Sequence, residues 1–525
     1  MAAKIKRKPI EQDETMTINE TYAAPRPVAS RPDRVARPQM PGIVLDTAAR
    51  RFLIALVAGF FLLRLGAMFV LPFTDTTEAR YAEIARKMVE TGNWLTPQFD
   101  YGVPFWGKPP LHTWLSAAGM QVFGVSEAAA RLPILLTALA VLFLVWLWVR
   151  DIVGQGSALV ATVVLATMGM FFGASAFVMT DMPVVLGAVL VMVGFWNALG
   201  REGGGSRWGY AVFLGLAVGM LAKGPVAVVI CAIPLVLWLA LTWNWHLLRR
   251  LPWLRGTALL MALVVPWYVA AEIATPGFLR YFLIGEHVQR FLTPGWQGDL
   301  YGSAHLEAKG MIWPFWLMAA LPWSLVLPLL ALRPRAVLGA FRRDGSGWLV
   351  YLLLWALSPL LLFTPASNIL AAYVLPGLPA AAILLVALFA AAFGPQPGRK
   401  TRLGFATASL TVFALFLALV VAVAVAPGQM RLKSDKGLVA AASAALPGAP
   451  LYTVGGRSFS AEFYSQGKAR PIDPDRLAGL AASGAPAAFS LSPDKAGMAA
   501  GLGLHELGVF GRHVLFVTDD ESKVK

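Results

Sequence analysis

Apolar segments of membrane-spanning length recur along most of this chain, and they constrain its fold more than any other feature. They fall near 52–72, 131–149, 157–178, 182–199, 208–222, 225–243, 256–272, 311–332, 348–364, 371–393 and 404–427. A helix of about 20 apolar residues crosses the hydrocarbon of a bilayer. The expectation is an all-α polytopic membrane protein with about eleven transmembrane helices, of which 208–222 and 348–364 are the shortest. Composition agrees. The chain is 57% hydrophobic and 14% charged, whereas soluble domains carry about 25% charged residues.

The net charge of +15 sits mainly at the ends of apolar segments and in the N-terminal tail. That distribution points to membrane topology and contact with anionic lipid, not to nucleic acid. Arg150, the pair Arg201 and Arg207, and the group Arg249, Arg250 and Arg255 fall on every second connection. So do Arg333, Arg335, Arg342 and Arg343, then Arg399, Lys400 and Arg402. The positive-inside rule assigns those connections and the N-terminus to the cytoplasm. The opposite connections, 73–130, 179–181, 223–224, 273–310, 365–370 and everything after 427, are then outside. Residues 1–50, rich in Lys, Arg and Pro, are expected to be a disordered basic tail. Residues 51–427 form the membrane domain, with 73–130 and 273–310 as its functional loops. In 428–525 the apolar runs shorten, and YTV, AAFSLS and HVLFVTDD read as brief strands of a small outer α/β domain. The single cysteine, Cys231, excludes an internal disulfide.

The stretch Pro72–His112 is the longest polar interruption among the early spans. From Tyr81, the residues Tyr81, Ile84, Ala85, Met88 and Val89 share one helical face, so a helix lying along the membrane interface is expected. Asp75 followed three residues later by Glu78 matches a capping box, a structural use of both acids. The outer connections also gather Asp181 in VMTDMP, Lys223 in LAKGP, Glu286, His287 and Arg290 in GEHVQRF, and Tyr373 after SNILAAY. Singly, each reads as a paired or snorkelling group. Together, acids, bases and aromatic groups from several segments at one membrane face point to a shared site.

TEARYAEIARKM, GNWLTP and FWGKPPLHTW, followed in order by MTD, KGP, EHVQRF and Tyr-Val-Leu-Pro at 373–376, resemble the bacterial lipid-linked sugar transferases. These are relatives of protein O-mannosyltransferases and of the aminoarabinose transferase that modifies lipid A. The resemblance spans about 50–380. It implies a C-type glycosyltransferase fold in the bacterial inner membrane, with the active site and the C-terminal domain periplasmic. It also implies inverting transfer from a polyprenyl-phosphate sugar to lipid A, a surface polysaccharide or a protein hydroxyl. On that reading Lys108 and Arg290 hold the phosphate, and Lys223 binds the phosphate or the sugar. Arg80, Tyr81, His287 and Tyr373 contact substrate. Asp75 or Glu78 acts as general base, with Asp181 positioning sugar or acceptor.

Two departures qualify the match. The family's Asp-Glu-x-Arg-Tyr reads Thr77-Glu78-Ala79-Arg80-Tyr81 here, with Asp75 two positions earlier. Gly107 stands where the aminoarabinose transferases commonly carry a Glu that joins a His on zinc. His287 alone makes a poor zinc site, so no tightly held metal and no cofactor are expected. The rival reading is a transporter or flippase of lipid-linked glycans. It fits less well because transporters hold substrate near the midplane between repeated halves, and no repeat is visible.

Overall fold

The computed structural model describes residues 35–200, 205–302, 305–426 and 430–518. The chain enters along residues 35–46, which are not helical yet are packed in place. Val35 is buried and donates its N–H to Leu199 O at 3.2 Å, and Ile43 N–H reaches Ser157 Oγ at 2.8 Å. The disordered tail expected over 1–50 is therefore corrected for 35–50. Its remainder, 1–34, lies outside the described residues.

Helix α1 (Thr47–Val70) is capped by Asp46. It leads to α2 (Thr77–Thr91), a short hairpin of β1 (Gln98–Asp100) and β2 (Val103–Pro104), and α3 (Leu111–Phe123). The succession α4 (Glu127–Val153), α5 (Gln155–Ala166), α6 (Gly169–Ala174), α7 (Asp181–Gly200), α8 (Gly205–Lys223), α9 (Pro225–Thr242) and α10 (Trp253–Ala274) follows. Beyond it come a π-helical segment, Arg280–Gln289, and the helices Trp348–Phe363, Leu378–Phe393 and Arg399–Val425. Among the described residues, seven helical stretches are long and apolar enough to cross a membrane, or nine if two bent pairs count as one span each. One of those pairs turns by 100° around Pro322, where proline removes a helical N–H. The eleven expected segments also include 157–178, which the structure divides into α5, whose 12 residues rise only about 18 Å, and α6, and 208–222, which lies within α8.

Tight packing fixes the geometry that matters later. Helices α7 and α8 run antiparallel with glycines at their contact. A Cβ on Gly187 would lie 2.8 Å from Gly215 O, and one on Gly215 would lie 2.5 Å from Gly187 O. Small residues let the backbones approach this closely, which brings Asp181 at the start of α7 beside Lys223 at the end of α8. Behind them Trp148, Trp238, Trp348, Tyr351 and Trp355 form a buried aromatic core, with Tyr351 Oη donating to Met192 O at 2.7 Å.

Helix α2 departs from expectation. Its apolar face, Ala82, Ile84, Ala85 and Met88, is buried with Phe105, Ala117 and Met120 rather than facing lipid. Its other face is covered by the C-terminal domain. The capping box does not form either, since Thr76 precedes the helix without a side-chain cap. Asp75 accepts instead from Ser460, and Glu78 pairs with Arg131 at 2.7 and 2.8 Å.

That domain is a five-stranded sheet of β3 (Leu451–Val454), β4 (Arg470–Ile472), β5 (Ala488–Leu491), β6 (Leu504–Phe510) and β7 (His513–Thr518), in the order β4-β3-β5-β7-β6. The β4-β3-β5 portion is parallel, and β7 and β6 are antiparallel. Strands β3, β5 and β7 lie where the sequence predicts them. The short β4, and β6 with its irregular register near Gly508, lack the alternation that marks a strand. The domain docks on α2 through the helix Phe459–Tyr464. Phe463 meets Phe73 edge-on at 4.8 Å, and Phe73 N–H donates to Tyr464 Oη at 2.7 Å. Lys87, fully buried, is held by Glu462 at 3.2 Å, Glu83 at 3.5 Å and Phe99 O at 3.1 Å.

Candidate active site

The site forms where the α7–α8 hairpin, the Trp-Gly-Lys-Pro-Pro turn before α3 and the π-helical segment meet. Gly224 links α8 to α9 at φ +81°, a conformation that favours glycine. A Cβ there would strike Phe282 at 2.5 Å and His287 Nε2 at 3.1 Å. The glycine of the Lys-Gly-Pro motif thus lets the π-helical segment close onto the end of α8. Glu286 and Arg290, one helical turn apart, are thereby carried to Lys108.

The charged groups form two linked sets. Lys108 Nζ lies 2.8 Å from Glu286 Oε2, while Arg290 Nη1 lies 3.2 Å from Glu286 and 3.1 Å from Asp299. Tyr281 Oη also donates to Glu286, at 3.1 Å. Lys223 Nζ lies 2.5 Å from Asp181 Oδ1 and 4.3 Å from the centre of the Tyr373 ring. Burial works to protonate Glu286, but Lys108 and Arg290 outweigh it and hold the carboxyl at about 2. Burial likewise opposes charge on Lys108, and Glu286 reverses that effect, leaving the ammonium above its usual range.

Two cavities share this wall. One, of about 490 Å³, is polar and is lined by Thr77, Arg80, Tyr81, Asp181, Asp299 and His305 together with the charged wall. The other, of about 250 Å³, is lined by Val226, Val229, Phe291, Leu362 and Phe363. Lys108, Lys223, Glu286, Arg290 and Tyr373 line both. An apolar groove that ends on a cluster of cations can seat an amphiphile with an anionic head, and the adjoining polar chamber can take its hydrophilic remainder.

Of the residues predicted from sequence, the structure brings together Arg80, Tyr81, Lys108, Asp181, Lys223, His287, Arg290 and Tyr373. Arg80 is oriented by Tyr301 O at 2.8 Å. His287 lines the apolar cavity, but its ring nitrogens face Phe282 O at 2.8 Å and Lys223 O at 3.2 Å. Burial lowers its pKa, and the ring stands as a brace between the π-helical segment and α8.

Asp75 and Glu78 line neither cavity. Burial raises the Asp75 carboxyl, which accepts from Ser458 Oγ at 3.3 Å, from Ser460 N–H at 3.2 Å and from the Ser460 hydroxyl. Its own N–H donates to Lys433 O at 2.7 Å. The residue expected as the first-loop base is therefore a latch to the C-terminal domain, and Glu78 is consumed by Arg131. Thr77, which stands at the family's Asp position, lines the polar cavity with a hydroxyl.

Sequence reasoning missed Asp299, Tyr301, His305, Arg457 and Phe459, and named Glu286 in the shared outer set without giving it a role. Arg457 and Phe459 come from the C-terminal domain, and nothing in GGRSFS signals docking onto α2 and β1, which lie far earlier in the chain. The residues present do not fit zinc. A Cβ on Gly107 would lie 2.8 Å from Phe105, His287 is committed to backbone carbonyls, and no three His, Cys, Asp or Glu among the described residues converge as a metal site.

Residues 51–282 match the family described as dolichyl-phosphate-mannose-protein mannosyltransferase. The chain is 32% identical over 319 residues to the undecaprenyl phosphate-alpha-4-amino-4-deoxy-L-arabinose arabinosyl transferase of Edwardsiella ictaluri, covering 59% of this chain and 54% of that one. It is 30% identical over 348 residues to the transferase of the same name from Enterobacter sp. (strain 638), covering 64% and 59%. The match thus spans somewhat over half the length of these relatives. Its fold is that of ArnT from Cupriavidus metallidurans bound to undecaprenyl phosphate, with TM-score 0.73 and 21% identity over 90% of this chain and 98% of that one. The apo form of the same protein gives TM-score 0.68 at 22% identity. Motif order, sequence match and fold agree: the chain is similar to the protein mannosyltransferases over residues 51–282 and to the aminoarabinose transferases over somewhat more than half of their length, and it has the fold of ArnT.

Proposed function

We propose that this protein is an inverting glycosyltransferase that moves a sugar from a polyprenyl-phosphate donor to lipid A or another envelope acceptor at the periplasmic face of the inner membrane. One observation carries the reading: Lys108, Lys223 and Arg290 stand where an apolar groove meets a polar chamber. The relatives matched above are named for a donor of this kind, undecaprenyl phosphate carrying 4-amino-4-deoxy-L-arabinose.

In this mechanism the prenyl chain lies in the groove beside Val226, Val229 and Phe363, and the phosphate displaces Glu286 from Lys108 and Arg290. The sugar occupies the chamber near Arg80, Tyr81 and Asp181. An acceptor oxygen bonds to the anomeric carbon from the face opposite the phosphate. The carbon–oxygen bond to phosphate breaks, and polyprenyl phosphate leaves with its charge stabilised by the two cations. A hydroxyl acceptor gives its proton to Asp181, whereas an ionised phosphate acceptor needs no base. We further propose eleven spans, counting α5 with α6, and α8, beside the nine above. The basic connections then face the cytoplasm, and the membrane domain (51–427) carries 428–525 as a periplasmic cover.

The test is reconstitution of the purified protein with radiolabelled polyprenyl-phosphate pentose, aminosugar and hexose donors, and with lipid A or total envelope as acceptor. Label in the acceptor with release of polyprenyl phosphate is expected. No transfer from any donor, alongside movement of the lipid between leaflets, would overturn the proposal.

A further inference from the structure

A third cavity, of about 510 Å³, lies at the far end of the bundle, between the start of α1, the end of Leu378–Phe393 and the start of Arg399–Val425. Helix α1 has 24 residues and so rises about 36 Å. Asp46 at its start lines this cavity, whereas the chain leaving its end leads to Thr76 and Thr77 in the candidate active site. The two sites are thus separated by about the thickness of a membrane.

The cavity is amphipathic. Phe52, Val160, Phe389 and Leu403 are among its apolar walls, and Arg399 and Arg402 stand at its mouth. Arg402 Nε donates to Pro397 O at 2.9 Å, and Nη1 pairs with Asp46. This fixes the guanidinium in place and leaves Nη2 without a partner among the described residues. Arg399 has no ion-pair partner among the described residues. Arg50, Arg51 and Lys400 are exposed close by in sequence, so the mouth is cationic despite Asp46.

We propose that this cavity binds an anionic phospholipid of the leaflet opposite the candidate active site, its phosphate at Arg399 and Arg402 and the upper part of an acyl chain against Phe52 and Phe389. Charge selects the occupant. Basic pockets between membrane helices take anionic headgroups, and a zwitterionic lipid would bring its own cation toward the two arginines. The apolar wall selects against a free anion. The volume is too small for a whole phospholipid but admits the glycerophosphate and the first methylenes, with the remaining chain left in the bilayer.

The test is native mass spectrometry of the full-length detergent-purified protein, titrated with phosphatidylglycerol or phosphatidylcholine of identical chains. Retention of phosphatidylglycerol about tenfold above phosphatidylcholine is expected, falling to parity in the Arg399→Ala/Arg402→Ala double variant. Ala406→Trp, which keeps both arginines and fills the apolar wall, is expected to abolish the preference independently. Thermal stabilisation by phosphatidylglycerol is expected to disappear in both variants while their melting temperatures in pure detergent stay near wild type.

Equal retention of the two lipids by wild type would overturn the proposal, as would a preference that survives both variants. Displacement by inorganic phosphate would identify a simple anion site instead. Lipid binding that emerges only after removal of residues 1–34 would assign the cavity to the chain's own tail.

Discussion

The membrane-side and domain-side walls of the polar cavity both end in ion pairs, yet the pairs differ in what lies behind them. On the membrane side, Glu286 is shared between Lys108 and Arg290, and an incoming anion can take its place. On the domain side, Arg457 is gripped by Glu462, reaches Asp100 at 3.1 Å and lies over the rings of Phe99 and Phe459 at 4.7 and 5.5 Å. Glu462 in turn holds Lys87 within α2. The first arrangement is built for exchange. The second staples a domain and, in doing so, presents a guanidinium to the chamber. The comparison separates groups proposed to bind substrate from groups that hold the chamber closed.

The largest effect is expected on the membrane side. Lys108→Ala should reduce sugar transfer by about a hundred- to a thousandfold, the cost of removing one group that stabilises developing charge, with the melting temperature little changed. Transfer rates in proteoliposomes check this. Lys87→Ala should act in the opposite manner. It removes one buried cation shared by Glu83 and Glu462, which keep Arg86 and Arg457, a loss of about 1.5–3 kcal/mol, seen as earlier unfolding and faster proteolysis between Val425 and Lys436. A stable, undocked protein with full activity would break the comparison.

Arg457→Ala tests whether the staple also serves substrate. The expected outcome is a KM for acceptor raised about tenfold with kcat within about twofold, equivalent to one charge-assisted hydrogen bond. An equal fall in kcat would place Arg457 at the transition state. Asp75→Asn is expected to lower transfer by no more than about fivefold, the worth of a weakened hydrogen bond. A hundredfold loss with docking intact would restore Asp75 as the base.

The smallest effect concerns pH. Asp435, 2.7 Å from His513, holds that imidazole above its ordinary pKa. The folded pKa exceeds the unfolded one, so this pair stabilises fully below about pH 6.5 and its contribution is lost as pH rises through the folded value. Relative to His513→Gln, wild type should lose about 2 °C in melting temperature over that rise, measured by scanning fluorimetry.

The sequence made the membrane-side wall readable because its residues sit in short motifs at the ends of apolar segments. Lys108, Lys223, Arg290 and Tyr373 occur where polar groups at membrane depth need a use or a partner. Asp75 misled for a physical reason. A carboxylate beside a helix start looks the same whether it faces a substrate or a partner domain, and Ser458 and Ser460 lie almost 400 residues away. Helix α2 misled likewise, because one apolar face says nothing about what covers the other. Arg457 carried no signal, as its role depends on docking between units with no shared sequence pattern. The segment expected at 157–178 is built from α5 and α6 together, and only the backbone reveals the break near Thr167.

Glu286 has a consequence for turnover. Its carboxylate, together with that of Asp299, neutralises Lys108 and Arg290, so an uncharged prenol has nothing to gain by entering. On the proposed reaction, the donor arrives as a phosphodiester with one negative charge and departs as a monoester with nearly two. The product therefore clings to Lys108 and Arg290 more strongly than the donor did. A tethered carboxylate waiting one helical turn from Arg290 supplies a local competitor that solvent cannot match, and it allows the spent carrier to leave without exposing bare charge.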